Sequence, residues 1–277
     1  MGSASMNLSN RRPAVAGTFY PADELRIERA LNEWFAPPAP VRQPWRAVMV
    51  PHAGWMYSGR IAARVLARVE FPPTVIVLCP KHHAGGATCA VAPWGRWLYP
   101  GGDVEVDVEL SAQLAAEVPG FELDEGPHRE EHAVEVQLPL LARLAPQTRL
   151  VAVTLGRLDL EQVHIAAAAL AEVVRDRLDS LLFVISSDMH HFASDQETRR
   201  LDAMALQALE ALDPDRLYAT CTQQRITMCG ILPAAIVLST LNMLHAVHRV
   251  ERVDYATSGE VNGDRQRVVG YAGLLFE

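Results

Sequence analysis

Six short apolar runs rich in β-branched residues constrain the fold of this chain more than any other feature: Arg46–Val50, Thr74–Cys79, Leu150–Leu155, Leu181–Ser186, Val250–Tyr255 and Val268–Phe276. Most show little polar alternation, the pattern of strands buried on both faces. Val250–Tyr255 alternates apolar and charged residues, as a half-exposed edge strand does. Helical patterns lie between the runs. Ala22–Phe35 places Leu25, Ile27, Ala30, Leu31 and Trp34 near one stripe, and Ile61–Val69, Leu110–Val118, Leu158–Leu178 and Glu197–Leu212 follow the same logic. Cys229–Leu244 is largely apolar and reads as a buried helix, with Pro233 acceptable near its first turn. Strands alternating with helices require crossover connections. The expected architecture is one α/β domain over residues 11–277, a mainly parallel or mixed central sheet with helices on both faces. Residues 1–10, MGSASMNLSN, lack the charged start and apolar core of an export signal and are expected to form a disordered leader.

Composition narrows the function. Of 277 residues, 49% are hydrophobic, enough for a large core without staples. The net charge is −8 and no Lys/Arg run exceeds a pair, which argues against a nucleic-acid partner. No apolar stretch reaches the roughly 18–20 residues of a membrane span. Cys79, Cys89, Cys221 and Cys229 form no CxxC pair and read as free thiols or ligands in a cytoplasmic protein.

The chemistry sits where the strands end. Arg46–Val50 runs into Pro51-His52-Ala53-Gly54-Trp55, Thr74–Cys79 into Pro80-Lys81-His82-His83, and Leu181–Ser186 into Ser187-Asp188-Met189-His190-His191. Ligands of open α/β sheets bind at the carboxyl ends of strands. Five of the ten histidines lie in these three loops, a concentration that marks a site although one His after a strand is commonly a solvated loop residue. Side chains of adjacent residues diverge, so His83 and His190 are expected to be idle. Glu131-His132-Ala133-Val134-Glu135 opens a helical pattern in which His132 and Glu135 share a face. Glu130 and Glu131 read as ordinary first-turn charges. Cys229 stands at a helix start, where the N-terminus lowers a thiol pKa. Trp55, Tyr57, Trp94 and Trp97 are candidates to line a cleft. Two His with a thiolate or carboxylate suit a transition metal; His/His/carboxylate points to non-haem Fe(II), and His/His/Cys to Zn, Fe or Cu. No GxxxxGK[ST], strand-linked GxGxxG, GxSxG or HExxH occurs.

Read together, the segments RPAVAGTFYP (12–21), PHAGWMYSG (51–59), KHH (81–83), EHAVEVQLP (131–139), SSDMHHF (186–192), MCG (228–230), SGE (258–260) and VGYAG (269–273) resemble the Memo family, protein B of the AmmeMemoRadiSam system. They run in order over nearly the whole chain. The resemblance implies a fold like that of class III extradiol dioxygenases, with a metal-sized pocket. It implies His52, His82 and Cys229 as metal ligands, with Asp188 and His191 nearby as catalytic residues. His132 matches the His of the family's EHxxE motif, with Glu135 as its acidic partner. Gln137 stands where some members have His, and Met189-His190 where some have an aromatic-Cys pair. The implied cofactor is Fe(II), with Cu or Zn as alternatives. The implied function is a non-haem iron or copper redox or oxygenase-like protein. The rivals are a non-catalytic binder of a peptide or small anion, and a zinc hydrolase in which Asp188 or His191 acts as base. Expected partners are a small-molecule or peptide ligand in the pocket and the other AmmeMemoRadiSam proteins.

Overall fold

A computed structural model describes residues 9–277 of the chain. Most of the expected 1–10 leader lies outside the described residues, and Asn10 already belongs to a strand. The strands among the described residues are β1 (Asn10–Arg11), β2 (Ala47–Val50), β3 (Thr74–Pro80), β4 (Cys89–Val91), β5 (Arg96–Tyr99), β6 (Gly102–Glu105), β7 (Phe121–Leu123), β8 (Arg149–Leu155), β9 (Leu181–Ser186), β10 (His191–Ala193), β11 (Val250–Thr257) and β12 (Val268–Phe276). The helices are α1 (Glu24–Trp34), α2 (Trp55–Leu66), α3 (Val108–Glu117), α4 (His132–Glu135), α5 (Leu138–Leu144), α6 (Leu160–Val174), α7 (Asp195–Glu210), α8 (Pro214–Gln223), α9 (Ile231–Met243) and α10 (Gly259–Asn262). No helix of the described residues is long and apolar enough to cross a membrane.

The main sheet has the order β10-β12-β2-β9-β3-β8-β4-β7, with β11 paired to β12. Its centre, β2-β9-β3-β8, is parallel, and β12 joins β2 antiparallel, so the sheet is mixed. Period-two alternation along the central strands feeds two cores. Met49, Ile76, Leu78, Val153, Phe183 and Ile185 pack on one face with α6, α7 and α9. Val48, Val50, Val77 and Val184 pack on the other with α1, α2 and α5. Burial on both faces explains why these strands carry no polar stripe. β11 is the expected half-exposed edge strand, hydrogen-bonded only to β12 among the described residues. β1, β5 and β6 form a separate small sheet.

Several elements differ from the sequence reading. α2 starts at Trp55 rather than Ile61, which draws Trp55 into the core, where its Nε1 donates to Val136 O at 2.9 Å. Trp94 and Trp97 are core residues too, at 5% and 0% exposure, and the groove that Trp94 edges is lined by the amino-terminal segment with Glu125, Arg129 and Glu130 rather than by the His loops. α9 begins at Ile231, which leaves Cys229 two residues outside it.

A buried ion pair and its flanking hydrogen bonds fasten the amino-terminal segment to α4 and the loop before it. The Arg11 guanidinium donates to Glu135 Oε2 at 2.5 Å and to the carbonyls of His128 and Glu131 at 2.9 and 2.8 Å. The backbone N–H groups of Ala14 and Val15 and the Tyr20 hydroxyl also donate to the Glu135 carboxylate. Removing one member of such a pair leaves an uncompensated buried charge. Glu135→Ala is therefore expected to cost about 3–5 kcal/mol of stability. Urea unfolding checks this, and an unchanged midpoint contradicts it.

Candidate metal centre

Three adjacent parallel strands, β2, β9 and β3, end side by side and deliver the expected loops to one edge of the sheet. His52 follows β2, His82 follows β3, and Ser187–His191 follow β9. α4 lies against β3 and adds His132 from its first residue. One ligand atom from each of His52, His82 and His132 lies within 4.8 Å of the others. The ring centroids are 5.2 Å apart for His52–His82, 5.3 Å for His52–His132 and 4.5 Å for His82–His132.

His52 and His82 are each held by a hydrogen bond at Nδ1, and His132 Nδ1 lies close to a carboxylate. The Ser186 hydroxyl donates to Ala133 O at 2.8 Å, so its oxygen accepts from His52 Nδ1–H, also at 2.8 Å. Glu131 Oε1 accepts from His82 Nδ1–H at 2.8 Å and lies 3.3 Å from His132 Nδ1. A partner on one ring nitrogen fixes the tautomer and turns the lone pair of the other toward a metal. Burial, reinforced by the neighbouring His82, depresses His52 to about 3. Burial and the nearby His52 depress His132 to about 3. Burial opposes ionisation of Glu131, but the hydrogen bond and charge of His82 and the N–H groups of Ala133 and His82 outweigh it, leaving about 2. At neutral pH, His52 and His132 therefore present neutral imidazoles beside a carboxylate.

The other candidates surround this trio. Cys229 Sγ lies 3.2 Å from His52 Nε2 and accepts from Asp188 N at 3.1 Å. The third ligand atom of the compact trio thus comes from His132, while Cys229 flanks His52. Burial and the Asp188 carboxylate push the Cys229 thiol up, opposite to the shift expected from a helix start. Gly230 permits this approach, since a Cβ there would meet Ser187 Cβ at 2.3 Å. Asp188 Oδ1 accepts from the backbone N–H of His52 and Ala53 at 2.8 and 3.3 Å, so it holds the loop rather than a His ring. Burial pushes its carboxyl up. His191 donates from Nδ1 to Thr227 O at 2.9 Å, which leaves its Nε2 lone pair free.

The Glu135 carboxylate is engaged by Arg11, Ala14, Val15 and Tyr20 and belongs to the amino-terminal clamp, not to the His trio. His83 is exposed, and His190 Nδ1 accepts from Thr227 N, so neither joins the trio. Sequence reasoning misses two residues that do serve it, Glu131 and Ser186. The only signal for Glu131 was its adjacency to His132, and for Ser186 its place as the first polar residue closing an apolar strand.

The depressed imidazoles have a measurable consequence. An unfolded His titrates near 6.5, so between pH 6.5 and about 3 the unfolded chain binds a proton that native His132 refuses. That contribution is present above pH 6.5 and is lost as pH falls. Relative to His132→Asn, metal-free protein should lose about 2 kcal/mol of stability between pH 7.5 and pH 5. Urea titrations of both proteins in chelator check this, and a pH-independent difference contradicts it.

Comparison with known proteins agrees with the fold. A model of the Memo-like protein family matches residues 11–275. A MEMO1 family protein of Aquifex aeolicus is 36% identical over 269 residues, covering 96% of this chain and 98% of its own. One from Archaeoglobus fulgidus is 36% identical over 266 residues, covering 96% and 99%. The crystal structure of an uncharacterized Escherichia coli K12 protein shares the fold at a TM-score of 0.55 and 12% identity, covering 82% of this chain and 98% of that one. The full-length match of sequence and family model shows that the chain belongs to the Memo family.

Proposed function

We propose that this chain is a metal-dependent redox protein of oxygenase type, with Fe(II) as the resident ion and copper as the alternative. The observation that carries the reading is the donor set: three imidazoles with Nδ1 engaged or closely approached and ligand atoms within 4.8 Å. Neutral imidazoles suit Fe, Cu and Zn, and their depressed basicity means that a cation does not compete with protons at neutral pH. His52, His82 and His132 would hold the ion through Nε2. When bound, the ion supplies Lewis-acid polarisation and, for iron or copper, one-electron chemistry.

The chain supplies the rest. His191 carries a free Nε2 lone pair and takes a proton from a bound substrate, while Thr227 O holds the opposite N–H. The raised Asp188 carboxyl retains a proton more readily than an ordinary Asp and keeps the His52 loop in place. The Cys229 thiol, held protonated by burial, borders His52. The four cysteines are unpaired, which supports a reducing, cytoplasmic setting. The pocket would take a small-molecule or peptide ligand, and the family suggests the AmmeMemoRadiSam proteins as partners.

The all-imidazole set also favours a second reading, a zinc hydrolase with His191 or Asp188 as base. Elemental analysis followed by anaerobic reconstitution and an oxygen-uptake screen separates the two. About one equivalent of iron or copper with oxygen uptake supports the redox reading, redox-silent zinc supports the hydrolase, and failure to bind any metal contradicts both. Glu131→Gln and Ser186→Ala should each weaken metal affinity by ~10–100-fold, the usual cost of removing a group that orients a ligating His. Unchanged affinity in a calorimetric titration removes these residues from that role.

A further inference from the structure

Phe192, next to His191, has a conformation that packing does not explain. It sits in the bulge of β10, where His191 pairs with Val269 and Ala193 with Val268, leaving Phe192 as the extra residue. Its φ is +66°, a left-handed value that is an outlier for a bulky side chain. Such strain collects at functional sites, and bulges beside active sites re-aim side chains. The strain secures no core contact, because Phe192 is 61% exposed. Its ring instead stands 5.6 Å from the His191 ring and carries the Arg267 guanidinium 4.6 Å from its centroid. Arg267 is exposed, and among the described residues it makes no hydrogen bond or ion pair, whereas nearby Arg265 pairs with Asp195.

We propose that Phe192 and Arg267 form a substrate-recognition element at the mouth of the His cluster, for a small molecule carrying an oxyanion on a flat apolar body. This rests on the metal reading above and names the substrate class of that site. The exposed ring offers a face or edge to a flat ligand. The guanidinium, positioned by stacking on that ring, keeps its planar fork of N–H donors free for a carboxylate or phosphate. His191 adjoins the ring, so a ligand anchored here presents its body to the His191 Nε2 lone pair.

The test is calorimetric titration of metal-loaded protein with sodium benzoate, inorganic phosphate and benzyl alcohol, with metal content measured on the same samples. Benzoate should bind wild type at least about tenfold more tightly than benzyl alcohol, lose at least about tenfold in Arg267→Gln, and keep part of its affinity in Arg267→Lys. Phosphate that depends on Arg267 while benzoate does not would contradict the flat apolar body and overturn the proposal. Phe192→Gly should lose benzoate affinity while gaining thermal stability from the released strain, an outcome that a merely structural Phe192 would not give. The proposal is overturned if neither anion binds, if Arg267→Gln leaves both affinities unchanged, or if benzyl alcohol binds as well as benzoate. A wild-type protein that takes up no metal fails the metal reading instead, which the parallel metal analysis makes distinct.

Discussion

Glu131 is fully buried, and its two oxygens join the loops that meet at the His cluster. Oε2 accepts from the His82 backbone N–H at 2.9 Å, and Oε1 accepts from the His82 ring and from Ala133 N at 2.8 and 3.0 Å. A buried carboxylate persists only where hydrogen bonds and charge offset its desolvation. Here the offset is complete enough to pull the group to about 2 despite burial. The same bonds set the orientation of His82 and place a charge beside His132. With Ser186 doing the equivalent for His52, one ligand atom from each of the three rings lies within 4.8 Å of the others.

The scaffold behind this arrangement is the register of parallel strands. Val50 of β2 stands opposite Ser186 of β9, and Leu78 of β3 opposite Ile185, so the three strands terminate at nearly the same level. Their loops then emerge together at the edge where open α/β sheets bind ligands. Two clamps keep the remaining parts in place. Arg11 and Glu135 fix the amino-terminal segment, which lays Phe19 against His132 at 4.4 Å between ring centroids. On the far side, Ser187 Oγ accepts from Gly230 N at 3.0 Å and holds the Cys229 loop against the end of β9.

The parts of the molecule legible in the sequence are those set by local pattern. Strands buried on both faces announce themselves as apolar runs, and His52, His82, Asp188 and His191 were visible because they follow such runs directly. Glu131 was not legible, because an acidic residue in a first helical turn has the same signature as a charge favoured by the helix dipole. Its role depends on His82, 49 residues away, and on tertiary burial. Glu135 misled for a related reason. Spacing of three places it on one helical face with His132, but α4 is only four residues long, and that carboxylate meets Arg11, 124 residues away. In the sequence Cys229 has the signature of a helix-start thiolate, whereas α9 begins two residues later and burial, with Asp188, governs the thiol. The short strands between Cys89 and Glu105 and the polar helix α8 carry too little apolar periodicity to be recognised locally.

The central claim is that His132 completes the donor set, with Cys229 beside it rather than in its place. Anomalous diffraction from crystals of the metal-loaded protein tests this directly. The account predicts one peak within about 2.0–2.2 Å of Nε2 in each of His52, His82 and His132. A peak bonded to His52, His82 and the Cys229 sulfur, with His132 outside bonding distance, would contradict it.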